Sequence, residues 1–259
     1  MLRSLKDIMN YVLEAKDGDI GRCKDFLFDD QYWAIRYMVA DTGKWLPGRK
    51  VLLSPIALEE PDAITQRFPV KLTCQQIEES PPLDEHAPVS RQYEMNWLDY
   101  YGWAYYWSGA HLWGPAPYPS ALYTPKLREE LVEEKPQPEE SHLRSVKEVK
   151  GYRIEASDGE IGHVDDFIVD DQSWSIRYLV LDTRNWLPGR RVLVAPEWVK
   201  SVHWADGRVE VDLTQEAIKN SPEYDPAAPV NREYEVRLYN YYGQPAYWEK
   251  DEARFLRPA

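Results

Sequence analysis

The chain has 259 residues, 43% hydrophobic and 29% charged, which is enough apolar surface for one or two ordinary cores and too much for wholesale disorder. Thirty-one Lys and Arg against 44 Asp and Glu leave a net charge of -13, a field that repels a phosphate backbone, so nucleic acid is not an expected partner. Apolar runs fall well short of the roughly 20 residues of a membrane span, Met1 to Asn10 lacks a signal-peptide core, and Cys23 and Cys74 fit neither a disulfide scaffold nor a zinc spacing. The expectation is a soluble, cytoplasmic protein without a transmembrane segment, with peripheral association with a membrane surface left open.

In chain order, Tyr11 to Ala15 reads as a strand and Asp17-Gly18 as a hairpin turn with positive φ at the glycine. Ile20 to Phe28 follows, Asp29-Asp30-Gln31 turns the chain, and Trp33 to Ala40 alternates so that one face of a strand is core. Leu46-Pro47-Gly48-Arg49 has the composition of a type II turn leading into Val51 to Ser54. Thr73 is placed to cap a short helix that Pro81 stops, and Ser90 to cap a second that runs to Tyr101 and ends at Gly102.

An offset of 141 residues then repeats the whole pattern without a gap, with about 50 of the first 107 positions identical to their partners. Trp45-Leu46-Pro47-Gly48-Arg49 falls on Trp186-Leu187-Pro188-Gly189-Arg190, Thr73 on Thr214 and Ser90 on Asn231. The second copy shows its later strands more plainly, as Trp198 to Trp204, the turn Asp206-Gly207 and Arg208 to Leu213. The expected fold is mainly β with short helices: two tandem small β-barrels, each followed by a short aromatic-rich helical tail. The expected division is 1–114 for the first module, 115–141 for a Pro- and Glu-rich linker and 142–259 for the second module, with the modules packed on each other as a pseudo-symmetric pair.

The runs Asp17-Gly18-Asp19-Ile20-Gly21, Asp25-Phe26-Leu27-Phe28-Asp29, Ile35-Arg36-Tyr37-Met38-Val39 and Val51-Leu52-Leu53-Ser54-Pro55 resemble the PRC-barrel. Asp158 to Gly162, Asp166 to Asp170, Ile176 to Val180 and Val192 to Pro196 repeat them. That family includes the cytoplasmic domain of the photosynthetic reaction centre H subunit and the C-terminal domain of the ribosome maturation factor RimM. The resemblance implies a small barrel used for docking or assembly and brings no catalytic residue set. The chain departs from both relatives in lacking the N-terminal membrane helix of the one and the RNA-contacting domain of the other.

Asp25, Asp29 and Asp30, repeated as Asp166, Asp170 and Asp171 with Asp165 beside them, offer oxygen ligands for a hard cation or carboxylates for proton relay, but read first as turn and solvation residues. Arg36 and Arg177 beside them suggest buried Arg to Asp pairs. The five histidines are scattered and none is repeated, so no metal site is expected; no catalytic set and no cofactor is expected either. With 11 Trp and 18 Tyr against five Phe, most aromatics carry a polar edge suited to half-wet settings, and Trp97, Trp103, Trp107, Trp113, Tyr241, Tyr242 and Trp248 form the candidate interface. The functional expectation is a non-catalytic bacterial adaptor or scaffold that binds a protein partner. The rivals are a soluble H-subunit relative taking part in electron transfer at a membrane surface, and an enzyme with an aromatic and carboxylate cleft at Asp29, Asp30, Asp170 and Asp171.

Overall fold

The computed structural model describes residues 1–123, 142–183 and 190–249, and among them the protein is mainly β, with two sheets and short helices. The first sheet comprises β2 (Val12–Ala15), β3 (Gly18–Asp29), β4 (Ala34–Asp41), β5 (Val51–Leu53) and β6 (Arg67–Pro69), in the order β5-β4-β3-β2-β6. The second comprises β8 (Arg153–Ala156), β9 (Gly159–Asp170), β10 (Ile176–Asp182), β11 (Arg191–Val194), β12 (Val199–His203) and β13 (Arg208–Val211), in the order β11-β10-β9-β8-β13-β12. Each sheet holds a parallel pair at the equivalent place: β2 with β6, and β8 with β13.

Two compact units are present, and they are not cut at the Pro-rich stretch. The first is Arg3–Val149 with Val169–Arg177; the second is Lys150–Ile168 with Tyr178 onward. The first sheet accordingly includes a strand from the second half of the chain, β7 (Leu143–Ser145), antiparallel to the end of β3. Its counterpart β1 (Leu2–Ser4) pairs with β9.

Gly18 departs from expectation. The turn residues are Lys16 and Asp17, Ala15 pairs with Gly18, and Gly18 is not among the glycines of positive φ. The glycine that the backbone does demand is Gly21 at φ 125°, repeated as Gly162 at φ 149°: each follows an extra β3 or β9 residue, buried Ile20 or Ile161, that bulges out of the ladder. A Cβ on Gly21 would stand 2.0 Å from the Asp41 carbonyl oxygen, and one on Gly162 2.1 Å from that of Asp182.

β4 departs too. Trp33 is not a strand residue but a turn residue with φ 51°, matched by Trp174 at φ 58°, and every residue from Ala34 to Ala40 is buried. The one-faced alternation fails because Arg36 is skipped in the β3–β4 register and because the helical tail covers the outer face of the strand.

The caps follow the sequence reading. Thr73 and Gln76 form a full capping box on Cys74–Glu78, Ser90 caps Arg91–Tyr101, Thr214 caps Gln215–Asn220 and Asn231 caps Arg232–Tyr242. Gly102 and Gly243 close the two long helices in the left-handed conformation, and Gly48 has the positive φ of its expected turn; the equivalent Gly189 lies outside the described residues. Of the Pro- and Glu-rich stretch, 115–123 packs on the first unit, with Leu122 buried and the Tyr123 hydroxyl donating to the Lys71 carbonyl at 2.9 Å; residues 124–141 lie outside the described residues.

Candidate functional site

The chain builds one buried polar cluster twice. In the first unit Glu94, the fourth residue of the Arg91–Tyr101 helix, is fully buried and its Oε1 accepts from the hydroxyls of Tyr37 on β4 (3.1 Å) and Tyr106 (2.6 Å). Arg91, one turn back, donates to Glu94 Oε2 at 3.0 Å and to the Tyr106 hydroxyl at 2.8 Å, and its guanidinium lies 4.1 Å from the centre of the Trp107 ring. In the second, Glu235 accepts from Tyr178 (2.8 Å) and Tyr247 (2.9 Å), Arg232 pairs with Glu235 at 3.2 Å and sits 4.0 Å from the Trp248 ring. All five residue types recur at the same offset. Burial raises the Glu94 carboxyl above its ordinary pKa, against the opposing pull of Arg91 and the two hydroxyls, and pushes the Tyr37 and Tyr106 hydroxyls well up. The Glu94 carboxylate thus ties its helix to β4 through Tyr37 and to the segment after the helix through Tyr106, with Arg91 holding it from the same helix.

The acidic run does not converge. Asp29 is buried against Arg36 at 3.3 Å and accepts the turn N–H of Gln31, while Arg36 also donates to the Leu112 carbonyl and lies 4.1 Å from the Tyr106 ring centre. Asp25 faces elsewhere, accepting from Ser145 Oγ at 2.5 Å and from the backbone N–H of Lys147 at 3.1 Å. Asp30 pairs with Arg144 at 2.7 Å. In the repeat, Asp170 accepts from Gln172 and Ser173, Asp171 pairs with Arg3 at 2.7 Å, Asp165 pairs with Arg191, and Asp166 is buried. The Arg to Asp pairs read from the sequence are present, at Arg36–Asp29 and, at 3.5 Å, Arg177–Asp170. Among the described residues no three His, Cys, Asp or Glu side chains are placed to hold a metal ion.

A cleft of about 290 Å³ opens in the first unit beside Lys24, Asp25, Arg49, Lys50, Glu85 and Lys147. Its charges are largely engaged. Lys24 pairs with Glu85 at 2.9 Å, Lys50 donates to the Ala87 carbonyl, and Arg49 donates to the Glu78, Ile77 and Ser80 carbonyls at the end of the Cys74–Glu78 helix. Burial lowers the Lys50 ammonium below its ordinary value.

Of the candidate interface residues, Trp97, Trp103 and Trp113 are buried inside the first unit: Trp97 meets Tyr37 edge-on, and Trp113 Nε1 donates to the Ser173 carbonyl at 2.7 Å. Trp107 and Trp248 are half-buried over their arginines. Tyr242 is half-buried, and Tyr241 is 42% exposed with its hydroxyl donating to the Ala217 carbonyl at 2.8 Å. Its counterpart Tyr100, 40% exposed, donates to Gln76 at 2.9 Å, and each stands edge-on to its neighbour, Tyr101 or Tyr242. Tyr100 and Glu94 lie outside the candidate interface read from the sequence, although their recurrence at the 141-residue offset was the available signal.

Residues 142–218 match the PRC-barrel domain family, a span that covers strands β7 to β13 and the start of the helix Gln215–Asn220. No curated protein matches the chain. No helix among the described residues is long and apolar enough to cross a membrane.

Proposed function

We propose that the chain is a non-catalytic adaptor made of two PRC-barrel modules, the first half being a diverged second copy of the domain matched at 142–218. The repeated Tyr-Arg-Glu-Tyr-Trp cluster and the repeated strand order support the tandem reading. The docking role follows the PRC-barrels of the reaction-centre H subunit and of RimM, which this sequence resembles, and the two free cysteines suit a cytoplasmic setting.

The observation that carries the proposal is the pair Tyr100 and Tyr241. Each is a large exposed aromatic whose hydroxyl is pinned to a backbone carbonyl, so little conformational freedom is lost when a partner covers it. Presented once per module, they form two copies of one binding face, and a partner with two matching epitopes gains avidity from both. The test is quantitative affinity capture from the native host with the full chain and with Tyr100→Asp, Tyr241→Asp and the double variant as baits. A partner set that falls several-fold with either substitution and at least ten-fold with both supports the adaptor. Identical recovery by all four baits overturns it.

A further inference from the structure

The chain contains two related heptapeptides, identical at four of seven positions: Leu2-Arg3-Ser4-Leu5-Lys6-Asp7-Ile8 and Leu143-Arg144-Ser145-Val146-Lys147-Glu148-Val149. In the first unit the second of these is plugged into the edge of β3, with Leu143 opposite Asp29, Arg144 opposite Phe28 and Ser145 opposite Leu27. The plug is held at both ends. Asp30 N–H donates to the His142 carbonyl at 2.9 Å and its carboxylate takes Arg144 at 2.7 Å; Asp25 takes Ser145 Oγ and the Lys147 N–H, while Val146 and Val149 are buried. The N-terminal copy uses the same chemistry, for Met1 accepts from the Asp171 N–H at 3.0 Å and Arg3 pairs with Asp171, the repeat of Asp30.

Neither half therefore fills its own socket, and the two plugs share Leu-Arg-Ser and the Lys two residues on. We propose that the β3 edge, with Asp25 and Asp30, is a strand-acceptor site for the Leu-Arg-Ser-(Leu/Val)-Lys segment, and that a second copy of this chain is a ligand for it. Strand addition of this kind draws affinity from main-chain hydrogen bonds and specificity from flanking pockets, here the two carboxylates. The sequence between Tyr123 and His142 holds 18 residues, which when extended reach at most about 60 Å, ample for a plug to leave one molecule and enter another. Such exchange of identical elements is a low-cost route to assembly because no new interface must be built. It would give the adaptor a concentration-dependent valency without altering its tyrosine faces.

The test uses the full chain with the Asp30–Arg144 pair reversed in parts. Asp30→Arg mismatches the socket and Arg144→Asp mismatches the plug, so each variant alone carries a like-charge clash, and the double variant restores attraction within one molecule. Mixing the two single variants restores it between molecules. The expected result, by light scattering coupled to gel filtration, is a heterodimer from the mixture and a monomer from the double variant. Should the single variants fold poorly, two differently tagged wild-type populations are concentrated together, diluted and captured by one tag, with a synthetic peptide of residues 142–149 as competitor. Peptide-sensitive recovery of the second tag supports exchange. Absence of a heterodimer from folded variants, or recovery that is nil or indifferent to the peptide, overturns it.

Discussion

The hydroxyl of Tyr37 donates to Glu94 Oε1 across 3.1 Å, and through that bond β4 and the Arg91–Tyr101 helix share one buried carboxylate. Burial lifts the Glu94 pKa, and the direction fixes the pH dependence. A carboxyl whose pKa is higher folded than unfolded contributes its full share of stability below the unfolded value, about 4.3, and loses it as pH rises through the folded value. Gln cannot titrate, so the stability of the wild type relative to Glu94→Gln is expected to fall as pH rises from about 4 to 7. Melting temperatures of the two proteins measured side by side at each pH check this; a gap that widens in favour of the wild type with pH contradicts it.

Gly21 offers a sharper contrast. Its φ of 125° and the 2.0 Å approach of the Asp41 carbonyl to a notional Cβ leave no room for alanine without moving the β3–β4 ladder. Gly21→Ala is expected to cost about 2–3 kcal/mol or more, whereas Gly18→Ala, whose Cβ would meet only Cys74 Sγ at 3.6 Å, should cost under about 1 kcal/mol. Urea unfolding of the two variants gives the comparison directly.

These two glycines also mark where the sequence was legible. Punctuation was readable: Thr73, Ser90, Thr214 and Asn231 cap, and Gly102 and Gly243 stop, because capping is local chemistry decided within four residues. Gly18 misled because a two-residue turn can be placed one step late without disturbing the alternation around it, and only the bulge at Ile20 distinguishes Gly21. Glu94 and the Leu143–Ser145 plug were hidden for a different reason. Glu three residues after Arg on a helix looks like an ordinary solvated pair, and its tyrosines lie far away in the chain; an Arg-Ser strand of three residues carries no period at all.

Arg36 and Arg177 occupy repeated positions in the first unit but differ in depth. The Arg36–Asp29 pair is almost fully buried, with 1% and 5% of the side chains exposed, against 16% and 23% for Arg177–Asp170. Removing one partner of a buried pair leaves the other charge uncompensated, so Arg36→Ala is expected to cost about 3–5 kcal/mol. The more solvated Arg177→Ala should cost about 1–2 kcal/mol. Both residues belong to one unit, so chemical denaturation followed through a signal from that unit ranks them; equal losses would show that depth is not what sets the cost.

The two thiols provide the last expectation. Cys23 is wholly buried in β3, and desolvation together with nearby Asp25 raises its thiol far above the ordinary value, so the reactive thiolate is suppressed and reagent cannot reach it without opening the sheet. Cys74 begins a short helix at the surface, is half-buried, and is raised more by desolvation than by its bond with Asp17. In the folded chain Cys74 alone is expected to react with a disulfide reagent at neutral pH, slowly for an accessible thiol and faster as pH rises. Cys23 should lag by a factor on the order of 100 or more, the rate being set by opening of the β3–β4 pair. Cys74→Ser should then remove the native phase, leaving one thiol that appears only in denaturant. A native phase that survives this substitution would place the accessible thiol at Cys23 and would mean that β3 opens far more readily than its buried ladder allows.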